Sequence, residues 1–340
     1  MPYKILTLLF ICSLGACTPK TDQKETAPMQ QSDTSAAGKE LAALSEQINS
    51  HPGDAALLHK RARLYIDRKS YAQALEDMNQ VMAIDSSKAE YFLTMADLSF
   101  AANRTFNAKT FLERALQLDP TNNEAANRLA ELYFIVRDYN GAMELVNGVI
   151  GRDKKNTTAI FMKGMIYKES GDTAKAVSTF QNAVEIDPSF YNAYMQLGIL
   201  YQIKNDPAAE GYFSNAIQIN PRSEEAFYGR GLWYQDHNEL NKAIQDYTTI
   251  IQINPKNAKA HFNLGYIHHV LLDVKPEAIK HYTRAIEADP NYAEAYYNRG
   301  ICYEAVGNLA DAAADFKQAL KLRPVYPPAE EGLKRVMSKN

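Results

Sequence analysis

Two groups of residues in this sequence are of types that do chemistry. Cys17 stands where an apolar run, Ile5 to Ala16 (ILTLLFICSLGA), gives way to polar sequence, and a deprotonated thiol is a nucleophile. His261, His268, His269 and His281 crowd one region of the chain, and imidazoles ligate metals. Nothing else assembles into a catalytic constellation. There is no phosphate-binding glycine loop and no nucleophile elbow, so an enzyme is not expected and no cofactor is called for. Cys12 belongs to the apolar run and Cys17, the nucleophile at its border, is already taken, so Cys302 has no disulfide partner once that run is removed; neither a disulfide framework nor a cysteine-based metal site is available.

The element that positions Cys17 is the apolar run itself. It follows a single Lys4 and, at twelve residues, falls short of the roughly 20 needed to cross a bilayer as a helix, so it reads as a signal peptide over 1–16. Its end, Leu14-Gly15-Ala16-Cys17, resembles the lipobox of bacterial lipoproteins. The resemblance implies cleavage before Cys17 and a diacylglyceryl group on its sulfur; the alternative is an ordinary secretory signal with an incidental cysteine. Two or three acyl chains anchor a protein stably where one does not. Thr18 follows the cysteine, and in enteric bacteria an aspartate there retains lipoproteins in the inner membrane, so the expected location is the bacterial envelope, the outer membrane ahead of the inner. Losing Lys4 takes the net charge from −3 to −4, and nucleic acid is not an expected partner. From Thr18 to Gly38 the sequence TPKTDQKETAPMQQSDTSAAG has Met29 as its one large apolar residue and is expected to be a flexible spacer, over 17–38 with the cysteine.

Beyond the spacer the chain repeats. Small residues recur as Ala62, Ala96, Ala130, Gly164, Gly198, Gly231, Gly265 and Gly300, at spacings of 33 to 35 residues. A second ladder, Ala74, Ala108, Ala142, Ala176, Ala209, Ala243, Ala278 and Ala312, follows it. A third reads Tyr65, Ser99, Tyr133, Tyr167, Tyr201, Tyr234, His268 and Tyr303. Pro120, Pro188, Pro221, Pro255, Pro290 and Pro324 stand near the ends of the units. Within Ala295 to Pro324 two helical apolar patterns are broken at Gly307-Asn308, which makes a helical hairpin. The small residues mark where its helices cross closely.

These ladders resemble the tetratricopeptide repeat. The resemblance implies an all-α, right-handed superhelical solenoid of eight hairpins, over 55–88, 89–122, 123–156, 157–190, 191–223, 224–257, 258–292 and 293–326, with capping helices over 39–54 and 327–340. Ser86 and Lys154 replace the proline in repeats 1 and 3, where less sharply punctuated helix ends are expected. His261 and His268 fall at repeat positions 4 and 11, which the family fills with packing aromatics, so they read as core histidines and no metal site is expected. Cys302 reads as a small buried hydrophobe.

The family binds partners on a concave face built by the first helix of each repeat. In repeats 1 to 3 those positions hold a mixed-charge set that includes Lys60, Arg63, Asp97 and Arg128. In repeats 4 to 8 they hold Phe161, Met165, Met195, Gln196, Tyr228, Phe262, Asn263, Tyr266, Tyr297 and Asn298, an aromatic and methionine-rich set suited to an adaptable peptide site. The competing reading is that some of these side chains pack between repeats. The carboxylate clamp of chaperone-binding members is absent, since Tyr228, Leu232, Glu294 and Asn298 stand where its lysines, asparagine and arginine would be. Asn263 and Asn298 resemble the asparagines with which some repeat stacks hold a peptide backbone. The function expected is a membrane-anchored adaptor docking another envelope protein or peptide. The alternatives are a structural lipoprotein that pairs with its own copies and an accessory unit presenting substrates to a separately encoded transferase.

Overall fold

The computed structural model describes residues 36–339, in which every regular element is helical. The leader, Cys17 and most of the expected spacer lie outside the described residues. The chain divides after Ser86 into two units. The first holds α1 (Ala36–Ser50), α2 (Ala55–Asp67) and α3 (Tyr71–Ile84). The second holds α4 (Ala89–Ala101), α5 (Thr105–Leu118), α6 (Asn123–Ile135), α7 (Tyr139–Arg152), α8 (Thr157–Glu169), α9 (Thr173–Ile186), α10 (Tyr191–Ile203), α11 (Ala208–Ile219), α12 (Glu224–Asp236), α13 (Leu240–Ile253), α14 (Ala258–Tyr266), α15 (Lys275–Ala288), α16 (Ala293–Ala305), α17 (Leu309–Leu322) and α18 (Pro327–Met337). In each unit the helices pair as antiparallel hairpins, α2 with α3, then α4 with α5 through α16 with α17. In the second unit each hairpin packs on the next, and α18 closes the series against α17.

The local sequence accounts for the helix ends. Asp54, Asn122, Asn156, Ser223 and Asn257 precede first helices and accept their free backbone N–H groups. Second helices end on an extended Asp or Asn whose side chain accepts the N–H two residues on, as Asp119 does from Thr121, Asp187 from Ser189, Asn254 from Lys256 and Asp289 from Asn291. This side-chain turn, more than proline, stops the helix. Asp153 makes it with Lys155 although Lys154 replaces the proline, and the backbone at Asp85 and Asp153 is as extended as elsewhere, so the blurred ends expected at repeats 1 and 3 do not occur.

The small-residue ladder has a sharper cause than close helix crossing. A Cβ at Gly164 would stand 2.5 Å from the Phe180 ring, and one at Gly198, Gly231, Gly265 or Gly300 would meet Phe213, Tyr247, Tyr282 or Phe316 at 2.7 to 2.9 Å. The ring of the second helix occupies the space of the missing methyl. Where the ladder reads alanine, the matching second-helix residue is Met78, Leu112 or Val146, narrower side chains that are also fully buried.

A polar brace joins some hairpins. In the first unit Arg61 donates to both carboxylate oxygens of Asp77, at 2.7 and 2.8 Å, and to the Ser45 hydroxyl at 3.0 Å. In the second unit Arg230 does the same with Asp246 and Ser214, and Arg299 with Asp315 and Thr283. Each brace ties the two helices of a hairpin to the helix before it. The sequence reading missed it.

Candidate functional site

The first helices α12, α14 and α16 carry Tyr228; Phe262, Asn263 and Tyr266; and Tyr297 and Asn298. Helix α14 is short. It gives way after Tyr266 to a π-helical turn, Ile267–Leu271, where Leu272 N–H donates to the Ile267 carbonyl at 2.9 Å. The longer spacing from Gly265 to Gly300 is the sequence trace of this insertion.

Several of the groove residues expected from sequence are packing residues. Phe161 sits between Phe180 and Phe190, with ring centroids 5.5 and 5.4 Å away. Phe262 sits likewise between Tyr282 and Tyr292, at 5.6 and 4.8 Å, and Tyr297 between Phe316 and Tyr326, at 6.0 and 5.1 Å. In each trio the first-helix ring bridges the ring above the ladder glycine and the residue leading into the next helix, so it rivets repeat to repeat. Met195 is buried in the core with Phe213 and Phe227, which corrects its assignment to an open groove. Met165 packs partly against the cluster around Phe180 and Leu197. Gln196 accepts a hydrogen bond from Lys168 at 2.9 Å. Asn298 donates one amide N–H to the Glu294 carbonyl of its own helix at 2.8 Å.

Asn263 differs from all of these. It is 8% exposed, and its amide Nδ2 makes no hydrogen bond of ordinary geometry, although it lies near enough to the Tyr228 and Tyr247 hydroxyls to act on them as a weak donor. A buried orphan donor is costly, on the order of 1–3 kcal/mol, unless something outside the resting fold satisfies it. Two phenols lie beside it. Burial pushes the Tyr228 and Tyr247 hydroxyls up, with the nearby Asn263 amide pulling both the other way. Burial also raises Tyr292, which feels the Tyr228 charge. Tyr228 and Tyr266 remain half-buried, and the Tyr228 ring lies 6.0 Å from that of Tyr247. Tyr247 and Tyr292 were not singled out in the sequence. Tyr247 stands over Gly231 and Tyr292 leads into α16, so their repeat positions held the signal.

Part of the charged set forms ion pairs. In the first unit Lys60 meets Glu40 at 3.1 Å; in the second Arg128 bonds Asp97 and Glu124. Among the described residues no three His, Cys, Asp or Glu side chains are grouped as metal ligands would be. Cys302 is fully buried, and burial pushes its thiol up to about 12, which makes it inert. No helix among the described residues is long and apolar enough to cross a membrane.

Comparison with known proteins agrees with this architecture. Family models for the tetratricopeptide repeat match residues 99–162, 157–190, 234–271 and 275–327, together a little over half of the chain. The human "Tetratricopeptide repeat protein 13" is 28% identical over 136 residues, which are 40% of this chain and 16% of that protein. The human "Protein O-mannosyl-transferase TMTC1" is 21% identical over 208 residues, 61% of this chain and 20% of that protein. The chain thus spans a fifth or less of the length of these two relatives. The crystal structure of a tetratricopeptide repeat protein from Parabacteroides merdae superposes with a TM-score of 0.51 at 19% identity, covering 74% of this chain and all of that one. Helical hairpins that follow one another along the chain, and repeat models that together match more than half of it, place this chain in the tetratricopeptide repeat family.

Proposed function

We propose that this protein is a membrane-anchored adaptor that docks an extended segment of another envelope protein against α12, α14 and α16. Repeats of this family mediate contacts between proteins. The observation that carries the reading here is the Asn263 amide, buried beside Tyr228 and Tyr247 without a well-formed hydrogen bond. A backbone carbonyl of a docked segment would satisfy that donor, and Tyr228 and Tyr266 would supply contact area with little side-chain ordering. Phe262 and Tyr297 hold the repeats in register behind that surface. Lipidation of Cys17 and the spacer after it would keep the repeats tethered at the membrane, the outer membrane by the identity of Thr18.

Capture of the native partner from detergent-solubilised membranes by the full-length, tagged chain tests this. Asn263→Ala and Tyr266→Ala should each weaken capture, by about tenfold for a contact of roughly 1.4 kcal/mol, with helicity unchanged by circular dichroism. Lys60→Ala with Arg63→Ala should leave it intact. Loss with the charged pair and retention with the other two would move the docking surface to the first repeat.

A further inference from the structure

The imidazoles of the seventh repeat are not scattered core residues but a ladder across one hairpin. His261 and His268 lie two turns apart on α14 and its π-helical extension, and His281 of α15 stands between them. The His281 ring lies parallel to His268, within 3°, at a centroid separation of 5.5 Å, and 6.0 Å from His261. The Nδ1 atoms of His261 and His268 are buried with no hydrogen-bond partner, and Nε2 of His261 meets the Pro255 carbonyl at 3.0 Å. These rings thus hold the two helices together by packing, with few acceptors ready for an extra proton.

We propose that this ladder makes the seventh repeat an acid-sensitive hinge, in which protonation drives α15 from α14 and withdraws the face that carries Asn263 and Tyr266. The proposal rests on the docking surface described above for its consequence, though the hinge itself needs no ligand. Asn263 and Tyr266 lie on α14 between His261 and His268, so what moves the ladder moves them.

The surrounding charges allow this. Burial, followed by the charges of His268 and His261, pushes His281 down to about 4, with Glu277 opposing and Lys280 adding to the effect. Glu277 is already held by Lys280 at 2.7 Å. His269, in the π-helical turn, is lowered by burial and by Lys275, and Lys275 is itself paired with Asp273. Helix α16 sends Arg299 onto α15, where it binds Thr283, but that cation is committed to Asp315. A base whose folded pKa lies below its ordinary value of 6.5 loses stability for the fold as the pH drops through 6.5 toward 4. A charge on His281 would then be buried between the two facing imidazoles with few acceptors to satisfy it.

Hydrogen exchange of the full chain without ligand, corrected for intrinsic rates, decides the matter. Between pH 7.5 and pH 5 the α14 and α15 amides should lose protection by at least about tenfold, while those of α10 and α11 hold theirs. His281→Phe, which places there the residue type of Phe111 at the same repeat position, should abolish the loss. His268→Tyr, the residue type of Tyr234 and Tyr303 at its position, should reduce it and serves as the deciding variant if His281→Phe does not fold. Unchanged protection in the native chain, an equal loss in every hairpin, or a loss that survives the variant would overturn the hinge. Failure of Asn263→Ala to weaken partner capture at pH 7.5 would count against the docking surface and leave the hinge result untouched.

Discussion

A methyl group at Gly164 would stand 2.5 Å from Cε1 of Phe180, closer than carbon atoms approach, so this pair is chosen together. Ala96 with Leu112 is the same pair solved in the opposite way. Gly164→Ala should therefore destabilise by about 1–3 kcal/mol, even though alanine favours a helix over glycine by about 1 kcal/mol. Adding Phe180→Leu should recover much of that loss, read as a positive coupling in a double-mutant cycle by urea denaturation. Additive losses would mean that the ring is not what excludes the methyl. The Arg230–Asp246 brace is a second matched pair. Its side chains are 20% and 4% exposed, so Arg230→Leu strands a carboxylate and should cost about 3–5 kcal/mol. Repeat 5 fills the two positions with Leu197 and Tyr212, and Arg230→Leu with Asp246→Tyr should accordingly lie much nearer to the native stability than the single change. Both pairs sit sixteen residues apart in the chain, a spacing that apolar periodicity does not display.

At the scale of the element, the hairpins were legible because size is strictly limited at the ladder positions and caps recur with them. Less legible was what each side chain faces. Phe262 and Tyr297 have the residue types of a peptide groove, yet their rings are occupied by Tyr292 and Tyr326, because the position that faces a ligand in one stack faces the next repeat in another. The π-helical turn is hidden for a similar reason, being one inserted residue in a unit of ordinary composition. The closing helix α18 was anticipated as a capping helix, but its anchor was not. Arg335 and Lys339 both reach Glu304, at 2.7 and 3.0 Å, and Gly332 lets α18 settle on the Phe316 ring. Those cations hold Glu304, 10% exposed, down to about 2, below its ordinary 4.5. The stabilisation is therefore present above about pH 4.5 and is lost as the pH falls toward 2. Allowing for the half-exposed cations it amounts to on the order of 1–3 kcal/mol. Amide protection of α18 should fall across that window in the native chain. In Glu304→Gln it should be lower at neutral pH and nearly flat through the window; a native-like acid profile in the variant would assign the effect to other carboxylates.

At the scale of the molecule, stacked hairpins couple to their neighbours, so damage at one repeat should spread locally before it spreads everywhere. The proposed tether belongs to this scale as well. Cys17 closes an apolar run too short to span a bilayer, and Cys17→Ser expressed in the native host should be soluble or uncleaved. A variant that still fractionates as a mature membrane protein would remove the anchor from the account. The claim that unites anchor, repeats and orphaned amide is that a partner segment lies against α14. A photo-crosslinking amino acid at position 266 of the full-length chain, irradiated in native membranes, tests it most directly, with position 182 on α9, outside the proposed surface, as control. The account predicts a discrete crosslinked protein from position 266 that is lost with Asn263→Ala and absent from position 182. Crosslinks from position 182 alone, or from position 266 undiminished by Asn263→Ala, would contradict it.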